Sequence, residues 1–264
     1  MADAPAKIRL DGITRSFDGH KALDGLSLSG PAGQALALIG PSGSGKTLVL
    51  KSILGLVAPD SGRVLVDGED IASLAAGERR QRLERFGVLF QRQGLFDSLP
   101  VWENVAFRLI NDRRAGRRLG RRAARQRAIE VLERVGLDAA VADLFPSELS
   151  GGMAKRVGLA RAIAAEPEIV LLDEPTAGLD PIMTNVIDAL IVDLMRRIGA
   201  TVIAVSSDMA SVGRISHSVA MLDHGRVVWQ GPTATLRRSG NPWVHQFVNQ
   251  LAEGPIATSE LATA

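Results

Sequence analysis

The stretch Gly40-Pro41-Ser42-Gly43-Ser44-Gly45-Lys46-Thr47 fills every fixed place of the pattern G-x-x-x-x-G-K-[ST], which is typical of a phosphate-binding loop. The apolar run Ala35–Ile39 before it predicts a strand, and the spacing of apolar residues after Lys46 predicts a helix. At such a turn from strand to helix, free backbone N–H groups and the helix dipole both favour an anion. A glycine-rich surface turn is the weaker alternative, so the sequence predicts a site for a nucleoside triphosphate.

Length and composition indicate an ordinary globular protein. The chain has 264 residues, of which 46% are hydrophobic and 23% charged, which is enough for one large domain or for a core with a subdomain. It contains no cysteine, which fits a reducing compartment without proving one. Its first residues lack the apolar region of a secretory signal, and no stretch approaches the roughly 18 unbroken apolar residues that a membrane helix needs. We therefore expect a cytoplasmic protein.

The net charge is only +2, but the segment from Arg113 to Arg127 contains eight arginines and no acidic residue. An exposed helix face is the favoured interpretation, because runs of like charge commonly stay in solvent. A surface that contacts anions is the alternative. Since no aromatic residue lies among these arginines, a negatively charged membrane is favoured over nucleic acid as such a partner.

The order of predicted strands and helices indicates an α/β fold. Short apolar runs between residues 7 and 39 predict an antiparallel sheet that leads into the strand before the phosphate loop. Phe86–Phe90 and Ile169–Leu172 are predicted to be buried strands, and most residues between them have helical spacing. We therefore expect a mostly parallel sheet flanked by helices, with a helical subdomain inserted at about 92–165.

The rest of the chain completes the predicted domain. A stripe of apolar residues from Pro181 predicts a helix that Gly199 ends, and the strand Thr201–Val205 follows it. The segment 232–251 predicts two short helices. We expect a single domain over residues 1–251 and a C-terminal tail over 252–264.

Leu149-Ser150-Gly151-Gly152-Met153 predicts a second anion site. Ser150 is a plausible N-cap for the helix that follows, and the two glycines leave backbone N–H groups bare at its start. A capped loop without a ligand is the alternative. The nearby acidic motif Asp173-Glu174-Pro175-Thr176, followed by Gly178-Leu179-Asp180, favours the functional interpretation.

Taken in this order, the motifs resemble those of the ATP-binding subunit of ABC transporters over essentially the whole chain. The resemblance implies a P-loop (RecA-like) ATPase core with a mostly parallel sheet, an N-terminal antiparallel β subdomain and an inserted α-helical subdomain. It also implies that Phe17 stacks on adenine, with a buried core phenylalanine as the alternative. The remaining expected nucleotide contacts are Gly40, Pro41, Ser42, Gly43, Ser44, Gly45, Lys46, Thr47, Gln91, Ser150, Gly151, Gly152 and Asp180.

The same resemblance implies a mechanism. Lys46 is expected to neutralise the β- and γ-phosphates of ATP, while Thr47, Asp173 and Gln91 hold Mg²⁺. Glu174 is expected to orient and deprotonate the attacking water, although an acidic pair that merely ends a strand is the alternative. The resemblance further implies a homodimer in which each ATP lies between one phosphate loop and the signature segment of the other chain, so a monomer should be nearly inactive.

Met153 stands where most signature segments have Gln. Together with Asp180-Pro181-Ile182 and the C-terminal Asn241-Pro242, it makes the chain resemble the ATPase of Mla-type phospholipid transport systems, which move lipid between the inner and outer membranes of Gram-negative bacteria. The partners implied are a multispan permease (MlaE-like), a periplasmic MCE-domain lipid-binding protein and a STAS-domain regulator. The implied location is the cytoplasmic face of the inner membrane.

Ser207 marks a second departure, because the family has Ser-His-Asp where this chain has Ser206-Ser207-Asp208. Serine is shorter than the switch histidine and carries no charge, although its hydroxyl can act through a water. Losing one preorganised donor costs on the order of 10²- to 10³-fold in comparable sites. We therefore expect ATP binding together with slow hydrolysis. The alternatives are an importer ATPase for a polar solute and a nucleotide-gated module with little hydrolysis.

Overall fold

The computed structural model describes residues 6–90, 94–111 and 118–256, which form two sheets and a set of helices. The strands in chain order are β1 (Ala6–Phe17), β2 (His20–Pro31), β3 (Ala35–Ile39), β4 (Ser61–Val66), β5 (Glu69–Asp70), β6 (Phe86–Leu89), β7 (Ile169–Asp173), β8 (Thr201–Val205), β9 (Ser218–Asp223) and β10 (Arg226–Pro232). The α-helices are α1 (Lys46–Ile53), α2 (Ala76–Leu83), α3 (Val101–Asn111), α4 (Arg121–Arg134), α5 (Gly151–Ile163), α6 (Pro181–Ile198), α7 (Met209–Ile215) and α8 (Pro242–Val248). Short 3-10 helices occur at Ala139–Asp143, Pro146–Glu148 and Thr233–Arg238.

The central sheet has the strand order β10-β9-β3-β8-β7-β6, and every pair in it except β9 with β10 is parallel. All residues of β3, β7 and β8 are buried, as expected for parallel strands that are covered on both faces. The carboxyl ends of these three neighbouring strands meet at one edge, where ligands of open α/β sheets bind. The predicted mostly parallel sheet is confirmed.

The antiparallel sheet has the order β2-β1-β4-β5 and covers one face of the central sheet. Leu36 and Leu38 of β3 face this sheet and helix α1, whereas Ala37 and Ile39 face a separate cluster that includes Val244 of α8. Strand β3, which leads into the phosphate loop, is thus held from both sides by apolar burial, which contributes about 25 cal/mol per Å² of apolar area.

The inserted helical subdomain consists of α3, α4 and α5 and lies between β6 and β7 in the chain. Its apolar residues, with Val105, Val131 and Val157 among them, belong to one buried cluster with residues of the central sheet and of α6. Asn104 is fully buried there, and its amide donates to the carbonyls of the loop before α3. None of the helices within the described ranges has the combination of length and apolar character needed to cross a bilayer.

Candidate nucleotide site

The phosphate loop leaves β3 and enters α1 with two glycines in backbone conformations that other residues rarely adopt. Gly40 has φ 137°, and a Cβ atom there would lie 2.1 Å from the carbonyl oxygen of Leu222. Gly45 has φ 100°, and its Cβ would lie 2.9 Å from the oxygen of Ala22. Only glycine fits both positions without displacing backbone. No side chain caps α1, so the backbone N–H groups at its start remain available to an anion.

Lys46 is held inside this loop. Its Nζ donates to the carbonyl oxygens of Gly40 at 2.8 Å and Pro41 at 2.6 Å, and to Ser44 Oγ at 3.3 Å. Burial lowers the pKa of the Lys46 ammonium, and the nearby charges of Glu174 and Asp173 oppose that shift. The loop thus carries a partly desolvated cation beside bare backbone donors, a combination that suits a polyphosphate.

Thr47 and Asp173 come together where the phosphate loop meets the end of β7. Thr47 Oγ1 donates to Asp173 Oδ2 at 2.8 Å, and Asp173 is only 3% exposed. A hydroxyl and a carboxylate are the hard oxygen donors that Mg²⁺ prefers. In the described part of the chain, no cluster of three or more His, Cys, Asp or Glu side chains could hold a metal by itself. This pair therefore fits an ion that takes its remaining ligands from phosphate and water.

Glu174 follows Asp173 with φ 51°, in the left-handed region that non-glycine residues rarely occupy. Its backbone N–H donates to the oxygen of Val205 at 3.0 Å. Its Oε2 accepts from the backbone N of Ser207 at 3.2 Å and from Ser207 Oγ at 3.1 Å. From the sequence, the Ser207 hydroxyl was expected to act through a water in place of the switch histidine, whereas here it donates to the carboxylate of Glu174.

These groups line an open cleft of about 700 Å³, a size within the usual range for small-molecule sites. Phe17 at the end of β1 also lines the cleft. It is 44% exposed, which excludes the alternative of a buried core phenylalanine, and the guanidinium of Arg15 lies 4.8 Å from its ring centroid. The cleft is therefore lined by both an aromatic ring and the phosphate loop.

The signature segment does not line this cleft. Ser150 caps α5 by accepting from the backbone N of Met153 at 3.2 Å, as predicted. Gly151 is exposed, and a Cβ atom there would meet nothing within 4 Å. Asp180 caps α6 by accepting from the backbone N of Ile182 at 2.9 Å and of Met183 at 3.0 Å. Both predicted residues thus organise helix starts.

Part of the predicted set lies outside the described residues. Gln91, the expected metal ligand, is one of these positions, and so are residues 113–117 of the arginine run. In the rest of that run, Arg125 pairs with Asp143 at 2.6 Å and Arg127 with Glu166 at 2.6 Å. Both acidic partners lie outside the arginine run, and these two ion pairs link α4 to its neighbours in the helical subdomain.

Sequence reasoning missed two features around the site. The buried Lys155 of α5 donates to backbone oxygens of the Glu174 loop. Behind the phosphate loop, the turn between β9 and β10 contacts Ser44, whose carbonyl accepts from Gly225 N at 3.2 Å. Asp223, the last residue of β9 before this turn, accepts from Trp243 Nε1 of α8 at 3.1 Å. No sequence motif marks these contacts, because they join segments far apart in the chain.

A phosphate loop at the carboxyl edge of a parallel sheet, with an acidic pair at the end of β7 two strands away in the same sheet, defines a nucleotide-binding P-loop domain. The family model of the ABC transporter matches residues 23–177, more than half of the chain. The protein belongs to the ABC transporter family, as the motifs indicated.

Three relatives cover most of the chain. The probable ribonucleotide transport ATP-binding protein mkl of Mycobacterium leprae is 39% identical over 96% of this chain and 72% of that protein. The methionine import ATP-binding protein MetN of Caulobacter vibrioides is 44% identical over 93% and 72%. The intermembrane phospholipid transport system ATP-binding protein MlaF of Escherichia coli K12 is 40% identical over 88% and 85%. The family is thus settled, while the names of the relatives point to different cargoes.

Solved structures share the fold. The dimeric structure of MJ0796, a bacterial ABC transporter cassette, matches with a TM-score of 0.81 and 31% identity over 86% of this chain and 98% of that chain. The same cassette in a dimeric post-hydrolysis state with ADP and Pi matches with a TM-score of 0.80 and 30% identity. The predicted fold class is confirmed. The chain is an ABC-type ATPase subunit that binds ATP, works as a dimer with membrane permease partners and energises transport.

Proposed function

We propose that this chain energises a phospholipid transporter that works between the inner and outer membranes of a bacterium. The observation that carries the proposal is the Gly152-Met153 signature followed by Asp180-Pro181-Ile182, which resembles Mla-type ATPases, together with the 40% identity to MlaF. MetN and mkl, named for methionine import and ribonucleotide transport, keep a polar solute as the competing cargo.

The cleft is the proposed ATP site. Adenine stacks on Phe17, and the β- and γ-phosphates lie on the backbone N–H groups of residues 40–47, where Lys46 offsets their charge. Thr47 and Asp173, already 2.8 Å apart, hold Mg²⁺ together with Gln91. When bound, the ion supplies charge stabilisation at the transferred phosphoryl group. We keep residues 1–251 as the proposed single domain and 252–264 as its tail.

Glu174 is the proposed general base. Its carboxylate stands at the carboxyl end of β7, next to the cleft, and can accept a proton from a water directed at the γ-phosphate. Ser207 donates to Oε2 through both its backbone N–H and its hydroxyl, so it limits the orientations open to the carboxylate. The other carboxylate oxygen remains for the water. In this structure Ser207 contacts the proposed base. We keep the prediction from sequence that the loss of the switch histidine at this position slows hydrolysis.

The proposed homodimer follows from the position of the signature segment. Ser150, Gly151 and Gly152 present a helix start to solvent and do not line the ATP cleft of their own chain. A second chain placed head to tail brings its phosphate loop against this helix start, so that each ATP contacts both chains. Asp180, which caps α6 beside this segment, lies at the same proposed seam.

The proposed membrane partners are an MlaE-like permease, an MCE-domain lipid-binding protein and a STAS-domain regulator, with the ATPase on the cytoplasmic face of the inner membrane. Phe96 and Phe107 form an aromatic pair with ring centroids 4.6 Å apart, and they are 43% and 39% exposed. Such a patch offers apolar surface for the permease. The chain has no proposed role with nucleic acid.

The test is to purify the tagged chain with its permease from native membranes and to identify bound lipid by mass spectrometry. The complex is then placed in vesicles with a labelled phospholipid. We expect ATP-dependent lipid movement that the Glu174→Gln complex lacks. Uptake of methionine or a ribonucleotide, without lipid movement, would contradict the proposal that the cargo is a phospholipid. Lipid binding with no ATP turnover would instead favour the nucleotide-gated module.

A further inference from the structure

Lys155 is a buried lysine on α5, one helical turn after the signature glycines, and only 9% of its surface is exposed. Its Nζ donates to the carbonyl oxygen of Glu174 at 3.1 Å and to that of Ala177 at 2.5 Å. Burial lowers the pKa of Lys155, and the charges of Glu174 and Asp173 oppose the shift. A lysine is seldom buried without a specific partner, and here the partners are backbone oxygens.

The two acceptor carbonyls belong to the turn that begins at the proposed base. Glu174 is held at φ 51°, a conformation that persists only where surrounding contacts fix it. The carbonyl of Glu174 accepts from Ala177 N at 3.3 Å as well as from Lys155. Ser207 holds the carboxylate of the same residue. One residue therefore has separate anchors for its backbone and for its side chain.

The same helix carries the signature segment and touches the turn at a second point. A Cβ atom on Gly152 would lie 3.6 Å from the side chain of Leu179, which is in the turn after Ala177. The start of α5 and the Glu174 turn are thus joined through Lys155 and through Leu179. Any shift of the signature segment changes the support of the Glu174 backbone.

In the proposed dimer, these two joined segments serve different ATP molecules. The start of α5 contacts the ATP held by the partner chain, whereas Glu174 acts on the ATP of its own chain. We propose that Lys155 is a positioning residue that holds the Glu174 backbone and couples the two ATP sites of the dimer. The coupling between the two ATP sites rests on the proposed function, because it requires the dimer. The contact between Lys155 and the Glu174 backbone lies within one chain and does not require it.

The test compares Lys155→Met with Arg156→Met in the assembled transporter complex. Methionine keeps the length and apolar stem of lysine and removes the donor. Arg156 lies on the same helix and donates to the oxygen of Gly136 at 2.6 Å and to that of Gly152, one turn back in the helix, at 3.4 Å, rather than to the Glu174 turn, so its variant is the matched control. For Lys155→Met we expect kcat to fall about tenfold or more, with KM for ATP changed less than about threefold.

The cooperativity of ATP hydrolysis distinguishes coupling between the two ATP sites from a purely structural role of Lys155. We expect the Hill coefficient for ATP to fall towards 1 in Lys155→Met and to stay at the wild-type value in Arg156→Met. Lys155→Arg, which keeps the donor, should recover part of kcat. If Lys155→Met keeps both kcat and the Hill coefficient, or if it loses only what Arg156→Met loses, the proposal is wrong.

A replacement variant and a measurement of amide exchange help to separate failure of the Lys155 proposal from failure of the proposed dimer. If Lys155→Met fails to fold, Lys155→Leu, which also removes the donor, takes its place in the same comparison. Backbone amide exchange at residues 174–180 should be faster in the folded variant. A wild-type complex with no cooperativity and no ATP-dependent dimer would count against the proposed dimer and the coupling, whereas an unchanged kcat in Lys155→Met would count against the hold on Glu174.

Discussion

At the scale of single residues, Ser207 is the position where this chain departs most from its family in the ATP site. Its two hydrogen bonds to Glu174 Oε2 span 33 residues of sequence and exist because β7 and β8 pair with Asp173 opposite Val205. The motif located both residues, but the direction of the hydroxyl depends on strand pairing. Sequence alone could therefore name the site residues and not this contact.

Replacing Ser207 tests its role in turnover. In Ser207→Ala the hydroxyl donor is lost and the backbone N–H remains, so we expect kcat to fall about tenfold, since a hydrogen bond to a charged group is worth ~1.5–3 kcal/mol. In Ser207→His an added imidazole donor should raise the rate of the assembled complex by about tenfold or more. Steady-state ATPase assays check both. An unchanged rate in Ser207→His would show that this position does not limit the chemistry.

Gly40→Ala tests the close approach behind the phosphate loop. The added Cβ would lie 2.1 Å from the oxygen of Leu222, in a backbone conformation that alanine disfavours. We expect a loss of about 2–4 kcal/mol of folding free energy and of measurable ATP binding. Urea unfolding and nucleotide titration measure the two effects. Gly120→Ala is the control, because Gly120 has φ −66° and open space around its Cβ position.

At the scale of elements, four charged side chains join the two sheets. Lys7 of β1 pairs with Asp67 at 3.0 Å and with Glu168 at 3.1 Å. Arg85, just before β6, pairs with the same two acids. The side-chain hydrogen bonds from Arg85 lower the pKa of Glu168 to about 2. Since Asp67 and Glu168 lie at the ends of different sheets, the network fixes how the sheets meet.

This network predicts acid sensitivity. The pKa of Glu168 is depressed in the folded state, so its contribution to stability is complete above the unfolded pKa near 4.5 and is lost as pH falls towards 2. Because its side chain is 54% exposed, we discount the contribution to about 1 kcal/mol. Urea unfolding of Glu168→Gln should show this deficit at pH 7 and a smaller one at pH 3.5. A constant deficit at both pH values would contradict the assignment.

The sequence patterns did not predict α2 and β10, and the reason is the same for both: neither has a clear apolar pattern. Helix α2 buries none of its eight residues completely, so it has no apolar stripe to reveal it. Strand β10 is an edge strand with Gly231 and Pro232 at its end, and it lacks the alternation of a half-buried strand. By contrast, β3, β7 and β8 were predictable because each contains a continuous run of at least four apolar residues and leads into a motif.

At the scale of the whole molecule, the C-terminal segment packs on its own chain. Val244 and Val248 of α8 are 1% and 7% exposed and share a cluster with Ile39 of β3. Gln246 accepts from Ile256 N at 2.7 Å, which anchors the chain beyond α8. A separate hypothesis, from the resemblance to Mla-type ATPases, is that this C-terminal segment is an arm that reaches across to the second subunit. Within its own chain, this segment covers the strand that leads into the phosphate loop, and Ile256 packs against the same cluster.

Truncation after Leu236 should therefore destabilise the fold and not only the dimer. Loss of the buried valines removes ~1.5–3 kcal/mol of burial each, and it uncovers one face of β3. We expect a lower thermal midpoint for the truncated monomer at any protein concentration, measured by circular dichroism beside the full-length chain. A truncated chain that stays as stable as the full-length chain and only fails to dimerise would contradict this expectation and support the arm hypothesis.

Hydrogen bonds behind the phosphate loop connect a tryptophan to the nucleotide site. Trp243 donates to Asp223, and the turn after Asp223 reaches Ser44 through Gly225 N. An indole whose hydrogen-bond partner adjoins the nucleotide loop acts as a natural optical reporter. Its emission should shift when ATP is added to the unlabelled protein, and Trp243→Phe should abolish that signal while the fluorescence of Trp102 and Trp229 persists. Nucleotide occupancy could then be followed in real time without attaching a dye.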